Sequence, residues 1–151
     1  IWKRGLGYVA AHPITGVGNA NFVVAERTIS ARARENSVRG MVSHNSFIEV
    51  AAETGVPGFV LYVSALLVAT VVAFRLAKDL ARRRGDANQD AGAVASALSI
   101  SIFAFFIGGF FLSLAHMQLL MTLIATVAGL KAVTLKQDRL AREEPRRASV
   151  A

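Results

Sequence analysis

The sequence predicts an all-α polytopic membrane protein fragment: three transmembrane helices, preceded by a loop region that contains one short helix. Three observations lead there. Hydrophobic residues make up 54% of the 151, and they collect in long runs instead of recurring at the spacing of a one-sided helix or strand. Two of these runs, 57–77 and 93–135, carry almost no charge away from their ends. Their lengths suit one crossing and two crossings of a hydrocarbon core about 30 Å thick, at roughly 20 residues each. The basic residues, finally, cluster just beyond the ends of the first and third spans.

Taken in order, residues 1–56 are mixed in character. Residues 1–11 read as the end of a helix, which His12-Pro13 and Gly16-Val17-Gly18 then break, because proline restricts its predecessor and glycine frees the backbone. The stretch ERTISARARENSVR, 26–39, is polar and charged and reads as a solvated loop or a short surface helix. SHNSFIEVAAET, 43–54, reads as a short helix with Phe47, Val50 and Ala51 at helical spacing and with Ser43 or Asn45 as its N-cap. Gly55 then stands where a C-cap glycine belongs, and Pro57 opens the first span without costing a hydrogen bond.

The first span, 57–77, is followed by a basic connection, 78–92. The run 93–135 is a helical hairpin, with a tight turn at its most polar point, 113–118, which includes His116. A turn at Gly108-Gly109 is the alternative and would give two unequal helices. The tail 136–151 is basic and suits anionic lipid headgroups. Arg75, Lys78, Arg82, Arg83 and Arg84 follow the first span, and Lys131, Lys136, Arg139, Arg142, Arg146 and Arg147 follow the third. Both places are expected to be cytoplasmic, which puts residues 1–56 and the 113–118 turn on the opposite face.

The chain begins at Ile1 and shows no charged segment leading into an apolar one, so it reads as a piece of a longer protein with further spans upstream. The absence of cysteine excludes a disulfide framework, a zinc–thiolate site and a thiol nucleophile. The net charge of +7 would suit nucleic acid, but the phenylalanines lie in apolar runs and not among the basic residues as stacking platforms would. No nucleic-acid partner is expected. The spans hold almost no ionisable residue that would mark a transport pathway.

The segment SHNSFIEVAAETGVPG, 43–58, is the most informative. It sets His44 at a helix start, where free N–H groups and partial positive charge favour an anion and disfavour a second cation. An imidazole there is a candidate proton acceptor. On chemistry alone two readings stand: His44 and Asn45 cap the helix while Glu49 and Glu53 face water, or His44 does chemistry. Along a helix, Glu53 lies about 13 Å from His44 at ~1.5 Å per residue. Its expected task is therefore to accept hydrogen bonds from the loop or an arginine.

Pro13, Gly16, Gly18 and Phe22, followed by His44, Asn45, Ser46, Phe47, Ile48, Glu53, Gly55 and Gly58 before a span, resemble the O-antigen ligase and O-antigen polymerase superfamily. The resemblance covers about residues 1–135, the carboxy-terminal part of that family's polytopic domain. It implies a metal-independent, cofactor-free glycosyltransferase in the bacterial inner membrane, with residues 1–56 periplasmic. Such an enzyme moves a glycan from undecaprenyl pyrophosphate onto an acceptor sugar or lipid A-core, or onto another lipid-linked glycan. The resemblance makes His44 the general base. It assigns substrate contacts to Asn45, Glu53 and loop arginines such as Arg34 and Arg39, although none of the loop arginines aligns with a family arginine. The family arginines are expected upstream of Ile1, so the piece alone is expected to be inactive.

Other features carry plainer readings. Gly16 and Gly18 read as a tight turn before a phosphate cradle, since GxG lacks a strand-to-helix setting. His12 reads as a surface residue, His116 as an interfacial helix-boundary histidine, and RRRGDANQD, 82–90, as a solvated connection. A non-catalytic assembly or transport protein remains the competing class.

Overall fold

The computed structural model describes residues 1–32, 42–83, 85–114 and 118–148. Five helices follow one another: α1 Trp2–Ala11, α2 Phe22–Arg32, α3 Ser46–Ala81, α4 Asp86–Gly108 and α5 Gln118–Ala148. No strand occurs among the described residues, so the expected all-α class holds. The helices α3, α4 and the 118–143 part of α5 are each long and apolar enough to cross a membrane.

Two compact units emerge, one of Ile1–Leu66 with Ala104–Gln118, the other of Leu67–Phe103 with Leu119–Ala151. In the first, α1 stops at His12, whose N–H still donates to the Tyr8 carbonyl but whose backbone has left the α region ahead of the proline that follows it. Tyr8, Phe22 and Ala52 form its small apolar core, flanked by Ile1, Val9, Val17 and Ala25. The polar stretch after residue 21 is helical from Phe22, four residues before the charged segment begins.

α3 is two helices run together. Gly55 sits inside it at φ 71 and ψ −174, a left-handed conformation that costs a β-carbon-bearing residue dearly. The short helix therefore begins at Ser46, not at 43, and breaks at Gly55; Pro57 falls in the first turn of the span. The backbone groups stranded by the break are taken up by the loop that follows α1. Val17 N–H donates to Ala52 O at 2.9 Å and Gly18 N–H to Glu53 O at 3.0 Å, while Val56 N–H donates to Pro13 O at 2.7 Å. Such pairing is obligatory for buried backbone. The Pro-x-x-Gly-x-Gly stretch and the Glu-x-Gly stretch are thus two halves of one device.

In the second unit, Leu76, Ala77, Leu80 and Ala95 pack together with Ala91 and Leu130, joining the end of α3, the start of α4 and the middle of α5. Small side chains at such crossings let backbones approach closely. The hydroxyls of Ser96, Ser99 and Thr134 each donate to a carbonyl four residues back, Gly92, Ala95 and Leu130, the solution an apolar surrounding demands. Phe74, Ile100 and Phe103 stand outward and exposed. α4 begins at Asp86 and stops at Gly108, so Gly109 and the polar Ser113 both lie in the stretch that follows it.

Candidate functional site

The segment 43–46 is a polar cluster turned mostly inward. Ser43, Asn45 and Ser46 are buried, whereas His44 between them is exposed. Asn45 is the N-cap of α3: its Oδ1 accepts from the N–H groups of Phe47 and Ile48, both at 3.0 Å, as a cap residue should. Its Nδ2 donates to Phe110 O at 3.2 Å. Ser46 N–H donates to Gly109 O at 2.7 Å, and its hydroxyl donates to Leu112 O and accepts from Leu114 N–H, both at 2.7 Å. Ser43 accepts from Asn45 N–H at 3.1 Å, and its one proton lies within reach of Asn45 O and of Glu49 Oε2. Trp2 Nε1 donates to Ser43 O at 2.9 Å, tying α1 to the same cluster.

Phe47 anchors the cluster from the apolar side. Its ring lies 5.2 Å from that of Phe106 and 4.5 Å from that of Phe110, with Tyr62 at 6.2 Å. Edge and tilted arrangements of this kind are favourable beyond the area they bury.

His44 itself holds φ 50. A residue other than glycine with positive φ is uncommon, and its neighbours must over-determine it. Here they do, since the residues on both sides are buried and hydrogen-bonded. The outcome is an exposed histidine between buried, hydrogen-bonded neighbours.

The other expected site residues divide. Asn45 and Glu53 both bond to backbone. Glu53 is buried, with Oε2 accepting Ala20 N–H and Oε1 accepting Phe22 N–H, both at 2.9 Å. It caps the start of α2, in keeping with the loop-accepting task, at the far end of the short helix from Asn45. Arg34, Arg39 and His116 fall outside the described residues. The Val17 and Gly18 N–H groups are engaged with carbonyls, which supports the tight-turn reading of GxG. Among the described residues, no group of three or more His, Asp or Glu gathers to hold a metal ion.

One buried cluster was not anticipated. Glu26, fully buried, receives Tyr8 Oη–H at 2.8 Å on Oε1 and lies 3.0 Å from Arg4 Nη2 on Oε2. Burial, and then the hydrogen bond to Glu26 and its charge, push the Tyr8 phenol up to about 12, against a smaller opposing pull from Arg4. A single glutamate after an apolar FVVA run was the available signal.

The fold and this cluster define a class: a helical membrane protein whose segment before the first span presents one histidine from a buried polar scaffold. The family model described as O-antigen ligase matches residues 1–63. That stretch holds both halves of the Gly55 device and the whole of 43–58, so the resemblance to the O-antigen ligase superfamily is shown there; it ends within the first span, short of residue 135. No curated protein and no solved structure matches the chain.

Proposed function

We propose that the protein transfers a glycan from undecaprenyl pyrophosphate to an acceptor sugar at the outer face of the bacterial inner membrane, with His44 as general base. One observation carries this reading: within the family-matched stretch, the 43–46 cluster buries three of its residues in hydrogen bonds and turns only the imidazole outward. The acceptor hydroxyl gives its proton to an imidazole nitrogen as its oxygen bonds to the anomeric carbon of the donor. The bond from that carbon to the pyrophosphate oxygen breaks, and the leaving group departs with the electron pair. Base and hydroxyl must approach within hydrogen-bond reach, which an exposed side chain permits.

Arg34 and Arg39 are proposed to neutralise the leaving pyrophosphate through bidentate contacts. Asn45 acts beside the histidine by setting the start of α3, and Glu53 acts farther along by setting the start of α2. Residues 1–56 are proposed to face the periplasm, so that the histidine meets the donor on that side.

The test uses full-length protein in membranes with lipid-linked glycan and, in separate reactions, lipid A-core or a second lipid-linked glycan as acceptor. His44→Ala is expected to lower transfer by about 10²-fold or more at unchanged insertion. Undiminished transfer by His44→Ala would remove the histidine from the chemistry. No transfer by the native protein to either acceptor would leave the partner-binding class as the better reading.

A further inference from the structure

The link after α4 lies far from His44 in sequence, yet it supplies most of the partners of the 43–46 cluster. Gly109, Phe110 and Leu112 offer carbonyls to it, and Leu114 offers an N–H. Ser113 reaches the histidine itself. Its Oγ accepts the His44 N–H at 3.1 Å and stands 3.4 Å from Ser43 Oγ. The bond falls on the one residue of the cluster with a left-handed backbone. His44 also precedes α3, whose carbonyls point toward its far end, so its N–H finds no partner in that helix. Ser113 takes it instead, from a segment whose own place is set by the Ser46 hydroxyl on either side of it.

We infer that Ser113 is a positioning residue for His44: by accepting its N–H, it holds the backbone that aims the imidazole outward. The inference rests on the reading of His44 as general base. Ser113 acts through the histidine backbone, and its removal leaves the imidazole present but less well aimed. Small displacements of a reacting group are costly in rate, whereas binding of donor and acceptor by other residues is left alone.

The experiment compares native full-length protein in lipid nanodiscs with Ser113→Ala, Ser113→Thr and His44→Ala. Amide hydrogen exchange is read at His44 by fragmentation mass spectrometry, and kcat and KM are read for transfer. Ser113→Ala is expected to speed exchange at His44 about tenfold, with the amides of 47–54 unchanged, and to lower kcat about tenfold at constant KM. Ser113→Thr keeps a hydroxyl and is expected to restore both. Unchanged exchange at His44 in Ser113→Ala overturns the inference even where His44→Ala abolishes transfer. So does a Thr variant as impaired as the Ala variant, because side-chain packing and not the hydroxyl would then be at work. Undiminished transfer by His44→Ala, in contrast, defeats the general-base reading whatever happens at Ser113.

Discussion

The two units differ in how much polarity they bury beside their apolar side chains. In the unit of Ile1–Leu66 with Ala104–Gln118, the inside holds Glu26, Ser43, Asn45, Ser46, Glu49 and Glu53, and its geometry is set by directed hydrogen bonds. In the unit of Leu67–Phe103 with Leu119–Ala151, the inside is alanines, leucines, Ile102 and Val127, with Thr134 the buried polar residue among those described, while Phe74 and Phe103 stand outside. The first pattern specifies a shape, since each buried polar group tolerates few partners and few angles. The second suits helices bathed in lipid, where close approach of small residues does the packing. Substitutions should therefore be severe and position-specific in the first unit and mild in the second.

The largest effect is expected at the helix break. A β-carbon on Gly16, itself at φ 63, would run into the backbone of Glu53 and Thr54. On Gly55 it would meet the Ile14 carbonyl. Neither neighbour is a flexible side-chain end that could swing aside. Gly16→Ala and Gly55→Ala should each cost about 3 kcal/mol or more, read as loss of thermal stability in detergent. A Gly85→Ala control, also at positive φ but with only the Asn88 amide nearby, should cost about 1–2 kcal/mol. Equal losses at all three positions would mean that backbone strain alone, and not the closeness of the two motifs, governs the break.

Next comes Glu53→Gln. The carboxylate accepts two backbone N–H groups, and an amide of the same shape can accept on one side only, turning a donor toward the other. Charge-assisted bonds of this kind are worth more than neutral ones, so about 2–3 kcal/mol should be lost. Hydrogen exchange should rise first at Ala20 and Phe22, because α2 loses its cap. If exchange rose at His44 instead, Glu53 would be serving the 43–46 cluster and not the entry to α2.

Much of the membrane portion was legible in the sequence because lipid imposes a rule that composition alone can satisfy: an uninterrupted apolar run of sufficient length. The break at Gly55 was legible for a similar local reason, since glycine followed by proline constrains its own neighbourhood. What sequence could not reveal is who partners whom across distance. The N-cap reading of Asn45 and the loop-accepting reading of Glu53 were available from position alone, but not that the N–H groups accepted by Glu53 would be those of Ala20 and Phe22, more than thirty residues away. Ser113 read only as part of a polar turn, and nothing in its surroundings foretold the His44 N–H. Side-chain-to-backbone bonds leave no periodic trace, because any residue can supply the backbone half.

A smaller effect is expected at Tyr8, with a sign that pH can expose. Tyr8→Phe removes the hydrogen bond to Glu26 Oε1, which Arg4 Nε still approaches at 3.2 Å, and should cost about 1 kcal/mol at neutral pH. The phenol is pushed from 10 up to about 12, so the folded chain holds that proton more tightly than the unfolded one. The resulting stabilisation is complete below pH 10 and drains away as pH rises toward 12. Native protein should therefore lose more stability than Tyr8→Phe across that window. Parallel loss in the two would show that the phenol is not bound to the buried carboxylate.

The smallest effect belongs to the second unit's best-formed ion pair. Arg83 meets Asp138 through two bonds, at 2.6 and 3.0 Å, a geometry that would be costly to break if it were buried. Both side chains remain about a third exposed, and water and salt offset what the geometry gains. Arg83→Gln should leave the thermal midpoint almost unchanged, and the little that is lost should vanish at high salt, where screening acts within about 3 Å at 1 M. A loss that survived high salt would place the pair in a drier setting than its exposure indicates. It would also make this unit depend on directed polar contacts as the other does.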